Sequence, residues 1–195
     1  MDRNRMEAFS DGVLAIIITI MVLELRVPTG SDLGVLKPLL PVFLTYVLSF
    51  IYLGIYWNNH HHLLKTVPKV NGAMMWANLH LLFWLSLFPF VTGWMGENHF
   101  TTAPTALYGV VMFMAAIAYF ILQNVIVGQQ GPDSKLAKSL GRDFKGKASP
   151  VLYATAIALA CFEPWISCII YVFVALLWLV PDRRIERVVD ESERG

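Results

Sequence analysis

Charge is what this chain has least of: Asp, Glu, Lys and Arg make up 15% of its 195 residues, while 56% are hydrophobic, and the mean hydropathy is +0.57. Soluble domains carry ~25% charged residues. So low a share excludes an ordinary solvated surface and points to an integral membrane protein. The net charge is +1, which leaves no basic face for nucleic acid. Cysteine is nearly absent as well. Cys161 and Cys168 stand either side of Pro164 in apolar surroundings, so they are read as small hydrophobes, without a disulfide framework or metal site. The first apolar stretch has no small-x-small cleavage site, is entered past Asp11 and ends in Glu24-Leu25-Arg26, so it is expected to be retained and not removed as a signal peptide.

That first stretch also lacks the ~20 uninterrupted apolar residues of a lipid-facing span. Its uncharged part runs only from Gly12 to Leu23, between Arg5, Ser10 and Asp11 on one side and Glu24 and Arg26 on the other. A helix rising ~1.5 Å per residue would still cover about one hydrocarbon thickness from Arg5 to Arg26. Charged groups at such depth normally face protein or water. At ~100° per residue, Phe9, Ile16, Ile20 and Leu23 share one stripe with Arg5 at its end, and Asp11 projects ~140° away from Ile16. Two readings fit. The stripe fills a core and Asp11 is a paired structural carboxylate, or the stripe lines a pore whose Ile and Leu rings exclude water. Spacing does not choose between them.

The motif R-x-x-x-F-S-D, formed by Arg5, Phe9, Ser10 and Asp11 and followed by Gly12-Val13-Leu14-Ala15-Ile16-Ile17-Ile18-Thr19, resembles the opening helix of the transmembrane protein 175 potassium channel family. The resemblance extends more loosely to Trp57-x-x-His60 and to Asn78 and Pro89. It implies an all-α integral membrane protein of six transmembrane helices per subunit, assembled as a homotetramer around the first helix. In family members with two copies of the unit per chain, dimers serve the same purpose. It also implies a potassium-selective leak-type channel with no cofactor beyond the permeant potassium ion. Ile16, Ile20 and Leu23 are carried over as the pore constriction and Thr19 as the selectivity hydroxyl layer. Arg5, Phe9, Ser10 and Asp11 become a structural motif tied to the neighbouring helices through Trp57, His60 and Asn78.

The rest of the chain reads as one unit without internal repeats. Spans are expected at about residues 5–26, 36–64, 72–94, 105–127, 150–163 and 165–180. Pro89 is expected to kink the third span. The fourth reads as nearly featureless lipid-facing material with small residues at Gly109, Ala115, Ala116 and Ala118 for close packing, and Pro150 as a first-turn residue of the fifth. Three adjacent histidines, His60 to His62, point ~100° apart on a helix and have no carboxylate near them in sequence, so no metal site is assigned. If odd-numbered spans run outward, only Arg26 and Lys37 of the basic residues fall outside. Arg3, Arg5, Lys65, Lys69, Lys135, Lys138, Arg142, Lys145, Lys147, Arg183, Arg184, Arg187 and Arg194 all fall inside. The positive-inside rule then places both termini in the cytoplasm of a multi-pass protein of the plasma membrane.

No T-V-G-Y-G sequence is present, which excludes the usual carbonyl filter. A proton-coupled secondary transporter is the alternative, with Asp11, Glu24 or His60 as proton sites, although the repeats and broken helices of that class are not evident. An intramembrane hydrolase needs a convergent histidine and carboxylate set, which the sequence does not supply, so an enzyme is not expected.

Overall fold

The computed structural model describes residues 2–131, 134, 136–137 and 144–179. Lys135, Lys138, Arg142, Arg183, Arg184, Arg187 and Arg194, on which the topology reading leans, lie outside the described residues. The elements in chain order are α1 (Arg3–Leu23), a 3-10 segment (Leu33–Leu39), α2 (Leu40–Lys65), α3 (Gly72–Ser86), α4 (Phe88–Glu97), α5 (Thr102–Gln130), α6 (Phe144–Ala160) and α7 (Pro164–Leu179). There is no strand among the described residues.

Local chemistry sets these boundaries. Asp2 accepts the Asn4 amide at the start of α1, and Asn71 accepts the Met74 amide at the start of α3. The expected span at 36–64 is divided: Pro38 lies in the 3-10 segment, and α2 begins as a regular helix around Pro41. The expected kink at Pro89 is a break. α3 ends at Ser86, Leu87 belongs to neither helix, and Pro89 occupies the first turn of α4. A proline there lacks the N–H that would bond the Leu85 carbonyl, and its ring crowds that carbonyl, so the helix restarts. The expectation for Pro150 is also corrected. It lies inside α6, which begins at Phe144.

Among the described residues four stretches are long and apolar enough to cross a membrane: Arg3–Leu23, Leu33–Lys65, Gly72–Glu97 and Thr102–Gln130. α6 and α7, of 17 and 16 residues, form a shorter hairpin. At ~1.5 Å per residue each is about 25 Å long, somewhat less than a full hydrocarbon thickness.

α5 differs most from its sequence reading. It packs against α3, α4, α6 and α7 and buries Tyr108, Met112, Ala115, Ala118, Leu122 and Ile126, so it is a central helix and not lipid-facing material. Its small residues permit this. A Cβ at Gly109 would collide with the Tyr171 hydroxyl and Ile157. Tyr171 in turn donates to the Thr105 carbonyl at 3.0 Å, and the Tyr52 hydroxyl donates to the Tyr171 carbonyl. α1 packs to one side, against α2, α3 and α4. Both of its ends are tied: Arg3 donates to the Lys65 carbonyl, and Arg26, beyond the helix, pairs with Glu97 at 3.0 Å.

Candidate functional site

α1 has two unlike faces. Met6, Ser10, Leu14, Ile17 and Met21 recur every three or four residues and are buried against the other helices. On the opposite side Phe9, Ile16, Ile20 and Leu23 are 53%, 58%, 43% and 75% exposed, and Thr19 is exposed between them. The aliphatic stripe is therefore not part of the subunit's own core. The Thr19 hydroxyl donates to the Ile16 carbonyl at 2.9 Å, which uses its proton within the helix. Its oxygen lone pairs remain available on the exposed face, and that is the chemistry a partly dehydrated cation needs.

A polar chain holds the buried face. Ser10 Oγ donates to the Met6 carbonyl at 2.9 Å and accepts from Asn78 Nδ2 at 2.9 Å. Because the Asn78 amide gives its N–H to Ser10, its Oδ1 accepts from His60 Nε2 at 2.7 Å. The tautomer of His60 follows. Nε2 carries the proton, and the unprotonated Nδ1 is buried without a hydrogen-bond partner among the described residues. Ser10, His60 and Asn78 are all buried, so this chain joins α1, α3 and α2 in a setting where an unmet polar group is costly.

Toward the edge of the α1–α2 contact, Trp57 Nε1 donates to Asp11 Oδ1 at 3.0 Å. One turn further on each helix, His61 Nδ1 meets Glu7 Oε1 at 2.6 Å. That contact is an ion pair when His61 is protonated and a hydrogen bond to the carboxylate when Nδ1 carries the only proton. The Trp57 and His61 rings stack with centroids 6.4 Å apart. Glu7 was missed in the sequence, although a signal existed. In antiparallel helices, a contact between Asp11 and Trp57 places the residues one turn away, Glu7 and His61, opposite each other.

Ser10 and Asp11 thus reach Asn78, His60 and Trp57. Arg5 and Phe9 do not: both are exposed, and neither bonds the other helices among the described residues. Arg3 makes the contact with α2 at that end. At the other end Glu24 lies against Gly93 of α4, where a Cβ would stand 2.8 Å from Glu24 Oε2. Among the described residues no group of three His, Cys, Asp or Glu side chains is placed to hold a metal ion.

A bundle of long apolar helices, whose first helix turns an aliphatic stripe outward and bonds its polar groups inward, defines a multi-pass α-helical membrane protein. The family profile described as endosomal/lysosomal potassium channel TMEM175 matches residues 5–89. Potassium channel HX13_20290 of Chryseobacterium sp. (strain P1-3) is 57% identical over 192 residues, covering 98% of this chain and 100% of that protein. The crystal structure of a lysosomal potassium-selective channel TMEM175 homolog from Chamaesiphon minutus superposes with a TM-score of 0.75 at 26% identity, over 90% of this chain and 95% of that one. The rat endosomal/lysosomal proton channel TMEM175 is 29% identical over 131 residues, 64% of this chain but 25% of that protein. The chain belongs to the TMEM175 family, a family of channels and not of enzymes.

Proposed function

We propose that the chain is a potassium-selective, leak-type cation channel that works as a homotetramer, with α1 of each subunit around a central path. The observation that carries this is the outward face of α1: Ile16, Ile20 and Leu23 are exposed together with Thr19, while the other face is bonded to α2 and α3. One such stripe cannot enclose a path, whereas symmetric copies can. Ile16, Ile20 and Leu23 then form stacked aliphatic rings that block ions when too narrow to hold water, and Thr19 supplies the one hydroxyl ring. Each subunit crosses the membrane six times within one domain, the α6–α7 hairpin being the fifth and sixth spans. Both termini are cytoplasmic, and the setting is the plasma membrane. The bacterial relatives named as potassium channels support potassium as the permeant ion, and no cofactor is needed.

The name of the animal relatives favours proton permeation as a second reading. Purified protein reconstituted in planar bilayers tests both. Discrete unitary currents reversing at the potassium potential support the first. A reversal that follows the pH gradient supports the second, and slow saturable flux without unitary events would instead indicate a transporter.

A further inference from the structure

Gln123 of α5 is a buried carboxamide that stands apart from the polar chain on α1. It is 7% exposed and makes no hydrogen bond among the described residues, whereas its neighbour Asn124 folds back on α5 and donates to the Phe120 carbonyl at 2.8 Å. Gln123 lines a cavity of about 50 Å³ between α2, α5, α6 and α7. Two unmet groups of α2 line the same cavity. The Tyr56 hydroxyl has no partner among the described residues, and buried Asn59 uses Nδ2 on the Ile55 carbonyl at 2.8 Å, leaving Oδ1 unmet there. Ser149 and Trp178, from α6 and α7, are engaged with each other, Nε1 donating to Oγ at 2.8 Å. Size and chemistry together restrict the occupant. A water needs ~10–15 Å³ of such space, so the cavity has room for a few, whereas drug-sized ligands need ~300–1,000 Å³. At ~1.5 Å per residue Gln123 lies about 10 Å inside the end of α5 at Gln130. Lipid chains at that depth offer no hydrogen bond, so a hydrocarbon occupant would leave all three side chains unmet.

We propose that this cavity binds a cluster of ordered waters that bridges Gln123 of α5 to Tyr56 and Asn59 of α2. A buried water makes about three hydrogen bonds, and the Gln123 carboxamide, the Asn59 oxygen and the Tyr56 hydroxyl supply donors and acceptors for them. The bridge steadies the stretch of α2 that carries Trp57 and His60, which are bonded to Asp11 of α1 and Asn78 of α3. The inference rests on the membrane character of the fold and is independent of the conduction reading.

The test is X-ray hydroxyl-radical footprinting of the full-length protein in mild detergent, read by mass spectrometry, because radicals formed from a bound water modify the side chains beside it. Tyr119 and Tyr153 are buried and line the cavity, whereas Tyr108 and Tyr171 are buried away from it. In the wild type Tyr119 and Tyr153 are expected to be modified several-fold more than Tyr108 and Tyr171. Ala116→Leu, which fills the cavity from α5, should remove that difference, and Gln123→Leu should reduce it. In case these variants fail to fold, wild-type crystals at high resolution provide a second readout: discrete density peaks within hydrogen-bond distance of the Gln123 carboxamide. Modification of Tyr119 and Tyr153 no higher than that of Tyr108 and Tyr171, or a difference that persists in Ala116→Leu, overturns the site. So does continuous, elongated density in the cavity, because an acyl or detergent tail would then be the occupant.

Discussion

At the residue scale, two hydroxyls on α1 make the same local bond and are put to different use. Ser10 and Thr19 each donate to a carbonyl of the preceding turn, but Ser10 is buried and accepts from Asn78, whereas Thr19 faces outward. Ser10→Ala leaves the Asn78 amide with a buried, unmet N–H, which costs about 1–3 kcal/mol. It is expected to lower the unfolding temperature in detergent without changing unitary conductance; an altered conductance at unchanged stability would move Ser10 into the pore. Thr19→Val removes the outward oxygen together with its bond to the Ile16 carbonyl but keeps the side chain's size, so current should persist while the bi-ionic reversal potential shifts toward that of sodium. An unmoved reversal potential would show that selectivity lies elsewhere. If Ile16 forms the proposed constriction, Ile16→Asn supplies dipoles and admits water there, and larger, less selective currents are expected, with Ile16→Leu nearly silent. The control is Ile18, only partly exposed and off the stripe. Ile17 is 4% exposed, so a polar residue there should reduce the yield of folded protein and leave the conductance of any assembled channel unchanged.

At the element scale, the break at Leu87 sets the position of α4. Because α4 restarts at Pro89, Thr92 comes within 2.7 Å of Ser49, and Gly96 comes against the α2 backbone, where a Cβ would stand 2.6 Å from Val42 Cα. Backbone does not yield as a side chain does. Gly96→Val is therefore expected to destabilise the protein by about 1–3 kcal/mol or more through overpacking. Thermal unfolding in detergent measures this, and a variant as stable as wild type would show that α4 can slide. The pairing of α1 with α2 has a register of its own, because Glu7 with His61 and Asp11 with Trp57 repeat one contact at one-turn spacing. Asp11 and Trp57 are not fully buried, so Asp11→Asn, which keeps an acceptor for the indole N–H, is expected to assemble. Asp11→Ala should assemble less well.

At the scale of the whole molecule, assembly is expected to bring Leu23 of adjacent subunits together. Leu23→Cys, made after Cys161 and Cys168 are replaced, should give a disulfide-linked dimer on denaturing gels, since each subunit's single thiol joins one neighbour, and native mass spectrometry of the uncrosslinked protein should count four subunits, whereas an absence of crosslinks would place α1 against lipid. The membrane class, the long apolar helices and the motif on α1 were legible in the sequence, because hydropathy and residue spacing belong to the chain whatever it packs against. The environment of each face was not legible. Ile17 and Ile16 are chemically identical neighbours, yet one is buried and the other exposed. Glu7 finds His61 only because two helices run antiparallel. Likewise, the apolar surface of α5 reads the same toward lipid as toward protein, and contact with α3, α4, α6 and α7 makes it central. In a membrane the hydrophobic effect does not distinguish lipid from core. Close packing around glycine and alanine and the meeting of buried polar groups make that distinction, and both arise only in the tertiary structure.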